Sequence, residues 1–339
     1  MNGKIIETVK EICYLGVTLE STGGWAKQKA KVVAKGKQAL VAIDKCLARM
    51  PHMRINILEN VYEMVCESRM MYGAEIWGLE EGWKEVDVIH GRFCKKVLGI
   101  PRVGANGVAE VELGRDSRRS KVLGLVTKFW LRILQMDRDD LVRRCYDWQV
   151  LNLKIGGWAK GVKEELDKLG LGYIWQDPQG RSVGRTWEIL KERCNAIERQ
   201  NVFAKIREKR SLALYGEMKS GWGRQGYIGC CTRVEREGWA WFRAGIWKLR
   251  GMRGGMDGKI CPLCGATESE IHILLKCTET GRWREQLLRN KWFTVGEELA
   301  FKKILSTTND TEVRDLGKFL YKVRCKRQVK IRNLELPLR

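Results

Sequence analysis

Four residues in the last quarter of the chain have the types and spacing to hold a metal ion. Cys261, Cys264, His272 and Cys277 follow the pattern C-x2-C-x7-H-x4-C. A two-residue gap lets both thiolates of the first pair turn onto one ion, and Gly265 permits the tight turn that brings backbone N–H groups toward the sulfurs. His272 and Cys277 then sit on a short helix with Ile271, Leu274 and Leu275 as its small core. Three sulfurs and one imidazole nitrogen suit tetrahedral Zn²⁺ (structural), and a closed set of four leaves no open position for catalysis. The alternative is a group of reduced thiols beside a surface histidine.

The second chemistry on offer is charge. Of 339 residues, 63 are Lys or Arg and 41 are Asp or Glu, a formal net charge of +22. A surplus of that size points to a polyanion, either nucleic acid or an acidic surface. Lys27, Lys31 and Lys35 recur at i, i+4 and i+8, which places three ammonium groups along one helix face. No acid interrupts Lys27 to Lys37. Phosphate contact is the favoured reading of this stripe, and a solvated helix face is the alternative. Lys318, Lys322, Arg324, Lys326, Arg327, Lys330 and Arg332 make a second basic helix with the same two readings. Trp239, Trp241, Phe242 and Trp247 lie beside Arg243, Lys248, Arg250 and Arg253, a mixture able to stack bases. The helical spacing of 239, 242, 243 and 246 assigns core packing to some of them. His52 and His90 have no neighbouring ligand set and are given no chemistry. Cys230 and Cys231 read as partly buried thiols.

Other chemistries are poorly served. Three histidines limit general-base catalysis, and no open metal site or Cys/His pairing is visible. The longest apolar stretch, Val122 to Leu134, is broken by Lys128 and Arg132 and falls far short of the ~20 residues of a membrane span. Lys4, Glu7, Lys10 and Glu11 leave no apolar segment of a secretory signal, so the expectation is an intracellular protein without membrane partners. Its twelve cysteines are then reduced thiols or metal ligands.

The elements that must position these residues are mainly α-helical. Residues 1–24 read as strand and turn, with Ile5-Ile6 and Ile12-Cys13-Tyr14-Leu15 extended. Apolar periodicity predicts helices over Trp25–Met50 (stopped by Pro51), Arg54–Met71, Trp83–Leu98 and Ser117–Met136. Weaker patterns cover 139–150, 158–169 and 183–212. Gly216, Gly221, Gly223, Gly226 and Gly229 predict a linker at 213–229, and two final helices run over Thr280–Asn290 and Thr311–Lys330. The expected organisation is a short β element (1–24), a helical domain (25–135), a helical connection with the linker (136–229), and a basic, aromatic region (230–339) holding a small metal lobe at 257–280.

Several of these segments resemble the C-terminal part of non-LTR (LINE-type) retrotransposon reverse transcriptases. Cys13-Tyr14-Leu15-Gly16-Val17 resembles that family's primer-grip strand, and the lysine-rich helix after it resembles the first thumb helix. Tyr72-Gly73-Ala74-Glu75-Ile76-Trp77 and Val97-Leu98-Gly99-Ile100-Pro101-Arg102 are similar to two thumb motifs, and the Cys/His cluster has the family's CCHC spacing. The resemblance covers 11–135 and 257–280. It implies a thumb-like fold, contact of Tyr14, Leu15 and Gly16 with nucleic acid, and RNA, DNA or an RNA–DNA hybrid as partner, with the remainder of a retroelement protein as a further one. Polymerase chemistry needs carboxylates that hold Mg²⁺. The family's Asp strand and Tyr-x-Asp-Asp hairpin are not in this chain, and Asp139-Asp140 sits where a helix cap fits. The expectation is therefore a nucleic-acid-binding fragment with no catalytic residues of its own, not an enzyme. The alternative is a zinc-containing helical protein-interaction module.

Overall fold

The structure, a computed structural model, describes residues 8–50, 53–79, 83–102, 104–178, 182–219, 221–246, 260–288 and 296–335. Ile5, Ile6, Pro51 and His52 lie outside them. The fold is mainly α, as the periodicity predicts. Among the described residues the only sheet is the antiparallel hairpin Glu11–Tyr14 with Val17–Glu20, paired from Glu11↔Glu20 to Tyr14↔Val17. Its two-residue turn, Leu15-Gly16, has φ of 46° and 83°, the left-handed pair that matches strand twist in tight hairpins. Leu15 is a costly residue for that position, and Tyr72 supports it by donating its hydroxyl to the Leu15 carbonyl at 2.8 Å.

The chain divides into two compact units, each made of two segments: Met1–Phe93 with Asp116–Asn201, and Cys94–Arg115 with Val202–Arg339. In the first, the helix Ala26–Arg49 packs its buried face (Val32, Val33, Ala39, Leu40, Ile43) on the next helical stretch. That stretch, predicted as one helix over 54–71, is α-helical over Ile55–Val61, π-wound over Tyr62–Glu67 and α-helical again over Ser68–Met70. Gly36 makes the approach possible, because a Cβ there would stand 2.6 Å from the Met70 sulfur. Tyr62 stacks on Phe93 with centroids 3.9 Å apart, and the His90 ring meets the Tyr62 hydroxyl at 3.2 Å, which makes His90 a satisfied core residue.

Arg118–Leu134 is the central helix of this unit, with Val122, Val126, Trp130 and Leu131 buried. At its start buried Arg118 forms an ion pair with Glu67 at 2.6 Å. Asp116 accepts from Arg199 at 2.7 and 3.0 Å and from Asn195 at 3.0 Å, which ties in the helix Val183–Arg207.

In the second unit the helix Arg233–Arg243 crosses the C-terminal helix Asp310–Glu335 at backbone contact. A Cβ on Gly238 would lie 2.4 Å from the Gly317 carbonyl oxygen, and one on Gly317 would lie 2.8 Å from that of Glu235. Trp239, Trp241, Phe242 and Ile246 are all buried, so core packing is the outcome for the described part of that aromatic run. The segment 213–229, expected as a linker, carries two short helices at its ends with an irregular glycine-bearing stretch at 221–226 between them. Helices Ala213–Met218 and Tyr227–Cys230 bury Tyr215, Tyr227 and Ile228, and apolar anchors override the glycine signal there.

Asp87 gives the first unit a built-in pH dependence. Burial raises its carboxyl from 3.8 to about 6, opposed by a backbone hydrogen bond from Arg118 and by the Arg118 and Arg119 charges, and reinforced by Glu198. A raised acid favours the folded state while protonated, so this contribution is complete below about pH 4 and is lost as pH rises through about 6. Asp87→Asn should therefore leave stability near pH 4 unchanged and raise it near pH 7. The gain is at most about 3 kcal/mol, roughly two pH units at about 1.36 kcal/mol each. Urea denaturation at the two pH values measures the difference.

Candidate metal centre

The first two ligands sit on a tight knuckle. Ile260 and Thr267 form an antiparallel bridge, Cys261 N–H donates to the Ala266 carbonyl at 2.8 Å, and Gly265 N–H donates to the Cys261 carbonyl at 2.9 Å. Gly265 closes this turn with φ of 79°, the region where a residue lacking Cβ has no penalty. The other two ligands flank a π-wound turn, His272–Lys276, in which Cys277 N–H donates to the His272 carbonyl at 2.8 Å. That winding matters for the x4 gap. At 3.6 residues per turn, i and i+5 would face about 140° apart, whereas the i to i+5 closure of a π turn brings them toward one side. The Ser269 hydroxyl starts the turn by accepting the His272 N–H at 2.9 Å.

The four ligand atoms all lie within 4.8 Å of one another. Cys261 Sγ is 4.0 Å from Cys277 Sγ, and Cys264 Sγ is 3.3 Å from His272 Nε2. Metal–sulfur bonds of about 2.3 Å in a tetrahedron put sulfurs about 3.8 Å apart, so this spacing fits one ion. Cys261, His272 and Cys277 are buried and Cys264 is half-buried. Hydrogen bonding between Cys261 and Cys277 pulls the first thiol down and pushes the second up, because the pair shares a proton. A bound cation removes that conflict by favouring thiolate at every sulfur. Together the residues make a Cys3His cluster that could hold a metal ion.

A second ring of residues, not singled out by spacing, fixes the ligands. Arg284 is buried and donates from Nε to the Leu274 carbonyl at 2.8 Å and from Nη2 to the Cys277 carbonyl at 2.9 Å. Arg327, on the C-terminal helix, makes two parallel bonds to Glu268 at 2.9 and 2.7 Å and reaches Cys261 Sγ at 3.8 Å. The expectation that Arg327 contacts nucleic acid is corrected. Its side chain is 2% exposed and held inside the lobe by Glu268. Arg243 is corrected likewise. It is buried against Glu112, donating at 2.8 and 3.1 Å, and Tyr215 donates to the same carboxylate at 2.8 Å. Lys326 is half-buried and bonded to the Glu279 carbonyl and carboxylate at 2.8 and 2.9 Å. Lys248 and Arg250 lie outside the described residues, as do Trp247 and Arg253.

In the first unit the lysine stripe is divided. Lys27 forms an ion pair with Glu11 of the hairpin, a partner that helix spacing alone does not reveal. Half-buried Lys31 points at the hairpin too, within 3.2 Å of the Gly16 carbonyl and 3.3 Å of Thr18 Oγ1 and Cys13 Sγ. Lys35 is exposed. Tyr14 and Leu15 are exposed at the hairpin tip, and Gly16 packs beneath Tyr72. Of the residues expected to touch nucleic acid, the structure thus leaves Lys35, Tyr14 and Leu15 outward and turns Lys31, Arg243 and Arg327 inward.

No protein-family model, curated protein or solved structure matches this chain. No described helix is long and apolar enough to cross a membrane.

Removing one partner of the Glu268–Arg327 pair leaves a buried charge alone. Glu268→Gln should destabilise the second unit by about 3–5 kcal/mol, and the double variant Glu268→Leu/Arg327→Met by much less than the sum of its singles. A denaturation double-mutant cycle on metal-loaded protein reads this directly, and additive losses would show that the two side chains act independently.

Proposed function

We propose that the chain is a zinc-containing nucleic-acid-binding protein related to the thumb and CCHC region of non-LTR retrotransposon reverse transcriptases, with no polymerase activity of its own. The observation that carries this reading is the Cys3His cluster, assembled within 4.8 Å on a chain of net charge +22. Three sulfurs and one imidazole select zinc over hard cations, and the closed ligand set makes it structural. The ion would tie the knuckle to the π turn, while Arg284 holds the Leu274 and Cys277 carbonyls and Arg327 stands near the Cys261 sulfur. Binding would run through phosphates, with exposed lysines as contacts. Lys35 represents these in the first unit, and Lys322 and Lys330 in the second.

Protein purified without chelator should carry about one Zn²⁺ per chain, and Cys264→Ser should lose it. Metal analysis that finds none sinks the zinc reading.

Binding to structured RNA, duplex DNA and RNA–DNA hybrid should be similar in affinity and fall steeply with salt, with a log–log slope of several phosphate equivalents. Lys35→Glu should weaken all three together. Absence of affinity at low salt would overturn the nucleic-acid reading in favour of a protein-interaction module.

One observation favours that second reading. Leu141, Trp148 and Leu151 of the helix Leu141–Leu151 are 74%, 57% and 85% exposed, and helical spacing puts them within about 80° of one another. An exposed apolar face of this kind marks contact with another protein.

A further inference from the structure

A groove of about 660 Å³ lies between the metal lobe and the C-terminal helix, both in the second unit. Leu263, from inside the knuckle, and Trp283, from the helix Gly281–Leu288, line the lobe side. Tyr321, Cys325 and Val329 recur every fourth residue along the other side and give the groove an apolar wall. Lys322, Lys326 and Lys330 follow one position behind, so the same three turns carry a line of ammonium groups. Lys326 and Lys322 stand 5.5 and 5.8 Å from the Trp283 ring centroid. Among the described residues Glu279 is the one acid lining the groove, and Lys326 holds it. Three cations against one carboxylate leave a net +2.

We infer that this groove binds a single-stranded segment of nucleic acid, with a base stacked on Trp283 and the adjoining phosphates on Lys322 and Lys330. The inference deepens the nucleic-acid reading above and rests on it. Charge selects a polyanion, and the apolar wall and half-exposed indole select among polyanions. A duplex offers phosphates here but keeps its base faces stacked on one another, so Trp283 and the Tyr321–Val329 wall would gain nothing from it. A single strand offers both, because every unstacked base has a π face and every linkage a phosphate. Lys322 lies within the ~6 Å range of cation–π attraction to the ring, and its flexible stem can swing outward to a phosphate as a base takes the ring face. Stacking of this kind is indifferent to base identity, so little sequence preference follows.

The test uses the full zinc-loaded chain and fluorescence anisotropy with labelled dT12, U12 and a 12-base-pair duplex. Wild type should bind the single strands more tightly than the duplex. Trp283→Ala should weaken the single strands by about five- to a hundredfold and leave the duplex within a factor of two. Trp283→Phe, which keeps a stacking face, should restore most of the loss, with zinc content unchanged in both variants. Lys322→Ala/Lys330→Ala, two surface changes, should lower the single-strand salt slope by about 1.4. If Trp283→Ala binds dT12 and U12 as wild type does, or weakens duplex equally, the groove assignment is overturned while the nucleic-acid reading stands. If wild type binds none of the three probes, both are overturned.

Discussion

Arg327 joins the C-terminal helix to the Cys3His cluster, and the packing of the lobe turns on that contact. Its guanidinium spans Glu268 with two parallel hydrogen bonds and extends one N–H toward Cys261 Sγ. A buried arginine is tolerated only where its charge is met, and here two anions meet it: a carboxylate and a prospective thiolate. The pairing carries structural information because its parts come from different places. Glu268 follows the knuckle, Cys261 begins it, and Arg327 arrives 59 residues after Glu268 in the sequence. The docked helix and the Cys/His cluster therefore share one buried ion pair, and the groove's two walls are joined through it.

The other end of the same helix is fixed by an absence of side chain. Gly238 and Gly317 let two backbones touch, and this draws the Arg233–Arg243 helix close enough for the Trp239 indole to donate to the Val313 carbonyl at 2.8 Å. Glu235 begins that helix by accepting the Thr232 N–H at 2.7 Å, an N-terminal cap made by its own third residue. At its C-terminal end Arg243 turns inward to Glu112, so the helix is capped at one end and pinned by a buried ion pair at the other. Close packing, capping and charge pairing specify one register for the helix pair, and that register presents Arg327 to the knuckle.

What was legible in the sequence follows from the range of each interaction. Four ligands within seventeen residues were legible because spacing alone dictates which of them can share an ion. Long helices such as Ala26–Arg49 and Asp310–Glu335 were legible from periodicity, the first within a residue at each end and the second running five residues past the expected Lys330. The π winding at Tyr62–Glu67 and His272–Lys276 was not, because one inserted residue per turn leaves no compositional mark. Burial of Arg243 was hidden for another reason. Its partner Glu112 is 131 residues away, and no local pattern distinguishes an arginine awaiting a distant carboxylate from one facing water. Lys27 and Lys31 read as a free stripe because helix spacing compares a residue only with its own helix, while their partners stand on the hairpin before it.

The fate of these cations separates two chemistries that a net charge of +22 merges. In the second unit, arginines do the interior work: Arg243, Arg284 and Arg327 each reach two or more acceptors, which the planar five-donor guanidinium does with little loss of freedom. Lys318, Lys322 and Lys330 stay exposed on the C-terminal helix, where a compact ammonium keeps its water. Arg243 and Arg327 add little to the field outside, since each is met by a neighbouring carboxylate at short range. The field outside is carried by exposed cations such as Lys322, Lys330 and Arg332, and it is salt-sensitive because those charges are solvated. On the proposed reading, the spacing of exposed cations along the outer turns of the C-terminal helix, not the total of basic residues, would set where a phosphate backbone comes to rest.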